Sequence, residues 1–230
     1  IRDSAITAQK LAIPVVHVEA GIRSGDWTMP EEINRLVTDS ITNYFFTTSE
    51  VANQNLKNSG VEGNRIFFVG NTMIDTLLKQ IPKFQAPTFW NEYDLQDKNY
   101  LVMTLHRPSN VDDQEILTTL LDLIQKNTNG IPIIFPVHPR TRKNIEKFGI
   151  KLNHVKMVDP MGYLEFNYLV KNAKGVVTDS GGITEETTVM KVPCMTLRDS
   201  TERPETCTIG TNVLVGTDPQ QIVPYLNQLM

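Results

Sequence analysis

The stretch G-V-V-T-D-S-G-G-I-T-E-E, residues 175–186, decides the fold. Its first residues, Gly175–Val177, form a short apolar run that predicts a strand, and a helix is predicted to begin at about Thr184. The glycine pair between them allows a tight turn in which backbone N–H groups can approach a ligand closely. A strand that turns directly into a helix is the repeating unit of an α/β protein built on a parallel sheet.

The same alternation of short apolar runs and helical patterns extends along the chain. Several runs are continuous instead of alternating, which is typical of strands buried on both faces of a parallel sheet. The predicted class is therefore α/β, doubly wound. Strands are predicted at Val15–Glu19, Tyr44–Thr48, Ile66–Val69, Tyr100–Leu105, Pro132–Val137, Val155–Val158, Gly175–Thr178, Pro193–Leu197 and Asn212–Val215.

Amphipathic segments lie between the predicted strands. In one of them Asp112 and Glu115 are spaced as a capping box, and in another Pro30 suits the first helical position. The chain opens inside a helix-like segment, Ala5–Leu11, with Ile and not Met as its first residue, so we expect a piece of a longer protein. The two apolar stripes consist of Ile116, Leu117, Leu120, Leu121 and Ile124, and of Ile33, Val37 and Ile41.

Two domains are expected. The stretch 81–97 contains Pro82, Pro87 and several charges without a clear period, so we predict a linker there. Residues 1–80 would form the C-terminal part of one Rossmann-like domain, and residues 98–230 would form a second.

Composition excludes several classes of protein. Of the 230 residues, 40% are hydrophobic and 21% are charged, which is ordinary for a soluble globular protein. A net charge of -4 gives no basic surface for nucleic acid, and no apolar run approaches the roughly 20 residues of a membrane helix. Without a signal-peptide pattern, Cys194 and Cys207 are interpreted as reduced thiols of a cytoplasmic protein.

The turn Ser180–Gly182 is a candidate phosphate site. Ligands of open α/β sheets bind beyond the carboxyl ends of the strands, and a helix N-terminus favours an anion. Glu186, one turn into the helix, could accept ribose hydroxyls, and Arg198 and Arg203 follow the next predicted strand at the same edge. The alternative is a plain strand–turn–helix connection.

Basic residues follow two further strands. His106 could serve as a general acid or base, since the pKa of a free imidazole lies near neutrality, and Arg107 would face phosphate. His138 follows Pro132–Val137 in the same topology. The alternative for each is a surface turn. We predict no metal site, because the histidines show no short ligand spacing, and no cofactor.

Carboxylates near the start of the chain form the third candidate group. Alternation in the strand places His17 and Glu19 on one face, and a carboxylate before Gly21 suits a cleft. The alternative is a pair satisfied by neighbouring backbone. Glu31 lies in the first turn of a predicted helix, where an acidic residue also complements the helix dipole and can pair with Arg35.

Taken together, these motifs resemble one family. H-V-E-A-G-I-R-S, M-P-E-E-I-N-R, T-L-H-R-P-S-N, P-V-H-P-R, T-D-S-G-G-I-T-E-E and R-D-S-T-E-R-P-E occur in the order and spacing of UDP-N-acetylglucosamine 2-epimerases of the non-hydrolysing bacterial type. The likeness runs from about Ala5 to about Val223. It implies twin Rossmann-like domains of the glycosyltransferase-B type with the active site in the cleft between them. It also implies a first domain that begins about a hundred residues earlier in the family, with a further catalytic Asp and basic residues.

The resemblance assigns roles residue by residue. Glu19, Glu31 and His106 match the family's catalytic positions. Arg107 and His138 match positions near bound sugar nucleotide that in some members help a second, activating UDP-sugar to bind. The motif departs from many members after Arg107, where Pro-Ser-Asn replaces Arg-Glu-Asn. The nucleotide-binding positions are matched by Ser180, Gly181, Gly182, Glu186 and Arg203.

The implied reaction interconverts UDP-N-acetylglucosamine and UDP-N-acetylmannosamine. UDP is eliminated to give 2-acetamidoglucal and is then added back after inversion at C2, without a metal or nicotinamide. The resemblance further implies a role in polysaccharide biosynthesis and a UDP-sugar as the molecule bound. At full length it implies a homodimer. The alternatives are a hydrolysing 2-epimerase, which releases N-acetylmannosamine and UDP, and a nucleotide-sugar-binding fragment without catalysis.

Overall fold

The computed structural model describes residues 1–230, and these divide into two compact units, Ile1–Thr76 and Leu77–Met230. The first unit contains a parallel sheet of three strands in the order β1-β2-β3. These strands are β1 (Val16–Val18), β2 (Tyr44–Thr47) and β3 (Ile66–Phe68).

The second unit contains a parallel sheet of six strands in the order β6-β5-β4-β7-β8-β9. The first strand of the unit, β4, lies in the middle, and the chain winds outward from it in both directions. This is the strand order of a doubly wound dinucleotide-binding fold. The strands are β4 (Leu101–Thr104), β5 (Ile133–Pro136), β6 (Val155–Val158), β7 (Gly175–Thr178), β8 (Cys194–Thr196) and β9 (Asn212–Leu214). The α/β class with parallel sheets and each of the nine predicted strands are confirmed.

Helices connect the strands. In the first unit α2 joins β1 to β2 and α3 joins β2 to β3, as a parallel sheet requires. Short 3₁₀ turns occupy Gly63–Arg65, Ile81–Lys83 and Pro219–Gln221. The helices are α1 (Arg2–Lys10), α2 (Pro30–Ser40), α3 (Glu50–Asn58), α4 (Thr72–Gln80), α5 (Pro108–Val111), α6 (Gln114–Lys126), α7 (Pro139–Lys147), α8 (Tyr163–Lys171), α9 (Ile183–Val189), α10 (Glu205–Thr208) and α11 (Ile222–Leu229). None of them has both the length and the apolar character needed to cross a membrane.

The second sheet is buried on both faces. Leu101 and Met103 of β4 pack into a core cluster with the apolar stripe of α6, while Val102 between them packs into a second cluster with Leu169 of α8. A strand with cores on both sides needs apolar residues at every position, which explains its continuous apolar run.

The cap of α6 differs from the prediction. The N-cap residue is Asp113, and its side chain accepts a hydrogen bond of 2.9 Å from the backbone N–H of Ile116. Asp112 lies one residue outside the cap and instead forms an ion pair with Arg140 at the start of α7. Because Asp112 and Asp113 are both good N-cap residues, the sequence does not distinguish them. The predicted cap therefore lies one residue too early.

The stretch 81–97, predicted as a linker, contains residues that pack onto the second unit. The indole of Trp90 makes edge-to-face contacts with Tyr100 and Tyr168, with ring centroids 5.7 and 5.1 Å apart. Leu95 is buried in the same core cluster. Burial of these apolar side chains stabilises the packing of this stretch on the second unit.

One face of the first sheet carries exposed apolar side chains. Val16 and Tyr44 lie opposite each other in the parallel register, as do Val18 and Phe46. Val16 and Val18 are each about half exposed. Phe46 packs edge to face on Phe67 of β3, at a centroid distance of 5.6 Å. An apolar sheet face of this kind is unusual for a protein surface exposed to water.

Candidate functional site

Four adjacent strands of the second sheet bring the predicted residues to one edge. In the order β5-β4-β7-β8, each strand is followed at its carboxyl end by one of the motifs. The point where the chain reverses its winding lies between β4 and β7, which is where ligands of doubly wound sheets bind. The loops that meet at this edge carry His138, His106, Asp179 and Arg198, respectively.

Asp179 connects the two loops on either side of this switch point. Its carboxylate is fully buried and accepts hydrogen bonds from the backbone N–H groups of His106 and Arg107, at 2.9 and 2.8 Å. The side-chain amide of Asn110 donates a third, at 3.3 Å, and Nδ1 of the His106 ring lies 2.8 Å from the other carboxylate oxygen. The carboxylate therefore fixes both the backbone and the imidazole of the His106 loop.

The environment of Asp179 favours its ionised form. Burial by itself would raise its pKa, but the hydrogen bonds from His106 and from the backbone of Arg107, with the charge of His106, hold the pKa below its usual value. A carboxyl whose pKa is lower in the folded state stabilises the fold at pH values above its unfolded pKa. That contribution is lost as the pH falls through the folded value.

The Ser180–Gly182 turn packs directly on a buried arginine. Arg198 is 3% exposed, and its guanidinium pairs with Glu202 at 3.1 Å. A Cβ built on Gly181 would lie 2.6 Å from a guanidinium nitrogen of Arg198, so only glycine lets the cation approach this closely. The backbone N–H of Ser180 donates to the Thr178 hydroxyl at 2.9 Å. The turn predicted to bind phosphate thus has a cation beside its backbone.

Arg203 and Glu186 are both mostly buried, and each lies at α9, the helix that follows the glycine turn. Nε of Arg203 lies 3.2 Å from a carboxylate oxygen of Glu185. Glu186 accepts a hydrogen bond of 2.8 Å from the hydroxyl of Tyr163. Burial raises the pKa of Glu186, and the hydrogen bond from Tyr163 partly offsets that effect.

His138 is exposed and caps α7. Its Nδ1 accepts a long hydrogen bond of 3.3 Å from the backbone N–H of Arg140. Thr141, in the first turn of α7, donates from its hydroxyl to the carbonyl of Leu105 at 2.8 Å. Because Leu105 immediately precedes His106, this bond ties the His138 loop to the His106 loop.

In the first unit a buried ion cluster holds the turn after β1. Nδ1 of His17 lies 2.5 Å from one carboxylate oxygen of Asp39, and Arg23 lies 2.6 Å from the other. The backbone N–H of Gly21 donates to the same carboxylate at 3.2 Å. His17 is thus satisfied by a side chain of α2, and not by the neighbouring backbone that the alternative interpretation proposed.

Glu19 lies just beyond the end of β1. Strand geometry stops at Val18, and Glu19 has a φ of 67°, in the left-handed region that residues other than glycine rarely adopt. Its side chain is half-buried. The simple alternation used to place His17 and Glu19 on one face therefore does not extend to Glu19.

Glu31 and its neighbour Glu32 have different environments. Glu31 is exposed in the first turn of α2, whereas Glu32 is 2% exposed. The carboxylate of Glu32 accepts hydrogen bonds from the backbone N–H groups of Ser24 and Gly25, at 2.8 and 3.2 Å. Glu32 therefore holds the preceding loop, and Glu31 is the carboxylate left on the surface of the helix.

Three side chains that hold these groups in place have no role predicted from the sequence. Asp179 stands inside the T-D-S-G-G motif, and its place at a strand end was the available signal. Asp39 and Tyr163 contact their partners, His17 and Glu186, across 22 and 23 residues of sequence. No local pattern links residues so far apart.

Gly21 offers a test of how tightly the turn after β1 is packed. Its φ is 78°, and a Cβ at this position would lie 2.4 Å from the carbonyl oxygen of Ala52. We expect Gly21→Ala to lower the free energy of unfolding by roughly 2 kcal/mol or more, because backbone strain adds to overpacking. Urea unfolding followed by circular dichroism measures this free energy of unfolding.

Gly25→Ala is the matched control for this prediction. Gly25 also has a positive φ, 73°, but nothing lies within 4 Å of a Cβ built there. It should show the cost of the backbone conformation without the steric contact. Equal losses in the two variants would contradict a tightly packed turn at Gly21.

Comparisons with known proteins identify the family of the chain. The family model described as UDP-N-acetylglucosamine 2-epimerase matches residues 3–230. The chain belongs to the UDP-N-acetylglucosamine 2-epimerase family. The expected resemblance is confirmed.

Individual relatives support the same assignment. The UDP-N-acetylglucosamine 2-epimerase of Methanocaldococcus jannaschii is 45% identical over 230 residues, which are 95% of this chain and 63% of the relative. The UDP-2,3-diacetamido-2,3-dideoxy-D-glucuronate 2-epimerase of Pseudomonas aeruginosa is 41% identical over 222 residues, 95% of this chain and 61% of the relative. The chain thus spans less than two thirds of the length of these relatives.

The fold is also that of a solved family member. The crystal structure of the Methanocaldococcus jannaschii UDP-GlcNAc 2-epimerase in complex with UDP-GlcNAc and UDP is similar, with a TM-score of 0.86 and 42% identity. The similarity covers 99% of this chain and 65% of that structure.

Proposed function

We propose that this chain is part of an enzyme that interconverts UDP-N-acetylglucosamine and UDP-N-acetylmannosamine by inversion at C2. The observation that carries the proposal is the meeting of four motif-bearing loops at the switch point of the second sheet, with two buried arginines near the glycine turn. A related structure is described as a complex with UDP-GlcNAc and UDP, which supports a UDP-sugar as the ligand.

The second unit supplies the proposed nucleotide site. Ser180, Gly181 and Gly182 would receive the diphosphate at the start of α9, where the helix dipole favours negative charge. Arg203 would neutralise a phosphate oxygen, and Glu186 would accept the ribose hydroxyls. The hydrogen bond from Tyr163 already orients the carboxylate of Glu186.

The proposed chemistry is elimination followed by re-addition. The C2 proton is weakly acidic, so its removal must be coupled to the departure of UDP, which breaks the C1–O bond and gives 2-acetamidoglucal. Protonation of C2 on the opposite face, with return of UDP to C1, gives the epimer. Acid and base groups are required, and we assign Glu19, Glu31 and His106 to them. Arg107 and His138 would lie near the sugar nucleotide.

The leaving diphosphate needs stabilisation as its charge develops. Arg203 and the donors at the start of α9 would supply it in a preorganised form. No metal or nicotinamide takes part in the proposed mechanism. We further propose a cytoplasmic homodimer serving polysaccharide biosynthesis, with residues 98–230 as the UDP-binding domain.

A modified UDP-amino-sugar is a second candidate substrate. The Pseudomonas aeruginosa relative, at 41% identity, is named for a diacetamido glucuronate sugar. The same elimination chemistry would apply, since both sugars carry an acetamido group at C2. Incubation with each UDP-sugar, followed by nuclear magnetic resonance of the products, separates the two. Equilibration of two UDP-sugars supports the epimerase, whereas irreversible release of free sugar and UDP contradicts it.

Arg203→Ala tests the nucleotide site directly. We expect UDP affinity to fall by roughly tenfold or more, since a hydrogen bond to a charged group contributes about 1.5–3 kcal/mol. Isothermal titration calorimetry measures the affinity. The difference from the wild type should shrink at high salt, because the contact is electrostatic.

Arg203→Ala also removes the ion-pair partner of Glu185, and two variants control for that effect. Arg203→Lys keeps the charge and should retain more affinity than Arg203→Ala. Lys126→Ala removes an exposed cation of the same unit, paired with Asp122, and should leave UDP binding unchanged. Unchanged UDP affinity in a folded Arg203→Ala protein would remove Arg203 from the site.

A further inference from the structure

We propose that Asp179 is the positioning residue of His106: its buried carboxylate holds the imidazole with the proton on Nδ1 and leaves Nε2 to exchange protons with the substrate. The catalytic half of this inference rests on the proposed function. The geometric half does not, because it concerns the state of the ring in the protein without substrate.

The hydrogen bonds to Asp179 determine which ring nitrogen carries the proton. One carboxylate oxygen lies 2.8 Å from Nδ1 of His106. The other accepts from the backbone N–H groups of His106 and Arg107 and from the amide of Asn110. An ionised carboxylate only accepts hydrogen bonds, so Nδ1 must be the donor. In a neutral imidazole with a proton on Nδ1, Nε2 is the basic atom.

The sheet makes this contact rigid. Thr104 of β4 and Thr178 of β7 are direct partners in the parallel register, and their hydroxyl oxygens lie 2.6 Å apart. Each strand then leads within two residues to a member of the pair, His106 and Asp179. The contact is therefore set by strand pairing at the switch point, and the ring does not depend on a flexible loop for its orientation.

His106 and Asp179 differ in burial, as a positioning role for Asp179 requires. The Asp179 side chain is fully buried, whereas 48% of the His106 side chain is exposed. The carboxylate is shielded from water and lies 2.8 Å from Nδ1 of the His106 ring. The exposed part of the ring stays available to a ligand at the edge of the sheet.

The proton balance of the step is simple. When Nε2 takes a proton from a substrate group, the ring becomes an imidazolium with protons on both nitrogens, and the substrate group carries the electron pair left behind. The Asp179 carboxylate stabilises that positive charge without itself taking a proton. Return of the proton from Nε2 restores the starting ring.

The direct test is the tautomer of His106, read from ring ¹⁵N chemical shifts in the full-length protein labelled at histidine. His106→Gln identifies the signals by their loss. At a pH where the ring is neutral, we expect the wild type to carry the proton on Nδ1. In Asp179→Asn the carboxamide can donate to Nδ1, so the proton should move to Nε2. A neutral wild-type ring with the proton on Nε2 would overturn the proposal.

Two further variants separate positioning from a purely structural role. Asn110→Ala removes a neutral donor to the same carboxylate and should leave the tautomer unchanged, even if stability falls. Asp122→Asn removes an exposed carboxylate and therefore changes the net charge by the same amount as Asp179→Asn. If Asp179→Asn keeps the proton on Nδ1, Asp179 serves only to hold the loop. If that variant does not fold, the wild-type tautomer decides alone.

Kinetics supply the second readout. In full-length enzyme, Asp179→Asn should lower kcat by about 10²-fold, since residues that orient a functional histidine typically contribute 10–100-fold or more. KM should change little. Unchanged kcat in a variant with a reversed tautomer would overturn the catalytic half. If the wild type epimerises no UDP-sugar, the proposed function fails, while the tautomer measurement still tests the position of the ring.

Discussion

Glu19→Gln and Glu31→Gln should each lower the turnover of the full-length enzyme by roughly 10²-fold or more, the usual contribution of a positioned acid or base. Glutamine keeps the size of the side chain and removes its capacity to exchange a proton. UDP affinity should barely change, because the proposed nucleotide site belongs to the second unit. Steady-state rates of UDP-N-acetylglucosamine conversion and calorimetry with UDP measure the two quantities.

Glu62→Gln is the matched control, because Glu62 is an exposed carboxylate of the same unit with no proposed role. It should show normal turnover and normal UDP affinity. Near-normal turnover in Glu31→Gln would favour the alternative in which Glu31 only complements the dipole of α2. Weakened UDP binding in either variant would place the carboxylate in nucleotide recognition instead.

The backbone of Glu19 adds a physical reason to expect a role for this residue. A φ of 67° is costly for a side chain with a Cβ, and such strain persists only where the surroundings enforce it. Here Asp39 binds the N–H of Gly21, and Asn55 donates to the carbonyl of the same residue at 2.9 Å. These bonds fix the turn at Gly21, two residues beyond Glu19. The fixed turn holds the glutamate in its strained conformation.

The strands could be predicted from the sequence because their cause is local. A strand with cores on both faces must be apolar at each position, so β4, β5 and β7 stand out as continuous runs bounded by polar residues. The loops that follow them could also be predicted as candidate sites, since parallel strands share one carboxyl edge. What the pattern did not contain is the order of the strands, which places β4 beside β7.

The strand order is what brings His106 to Asp179, 73 residues further along the chain. A contact over that distance depends on tertiary pairing, and neither residue carries a local mark of the other. The same applies to the packing of Trp90 on Tyr168, which draws part of the predicted linker into the second unit. Local composition predicts a linker there and carries no sign of this packing, because burial of the aromatic side chain depends on residues distant in the sequence.

The largest effect is expected for the chain as given: residues 1–230 alone should not epimerise. The chain spans 63% of the Methanocaldococcus jannaschii relative, and the family resemblance places a further catalytic Asp and basic substrate-binding residues in the part it does not cover. Epimerisation needs acid–base groups at near-attack distances and exclusion of water, so loss of part of that set removes most of the rate. The residues proposed to bind the nucleotide lie in the second unit, so UDP should still bind.

Exchange of the C2 proton in heavy water is the most sensitive measurement of this prediction, because it requires only the first chemical step. We expect the 230-residue chain to leave C2 of UDP-N-acetylglucosamine unlabelled while it binds UDP, and the full-length enzyme to incorporate deuterium. A preparation carrying Glu19→Gln controls for contaminating full-length enzyme, since a contaminant's activity would persist in it. Exchange by the wild-type chain that disappears in this variant would show that Glu19, Glu31 and His106 suffice without the remaining part of the family fold.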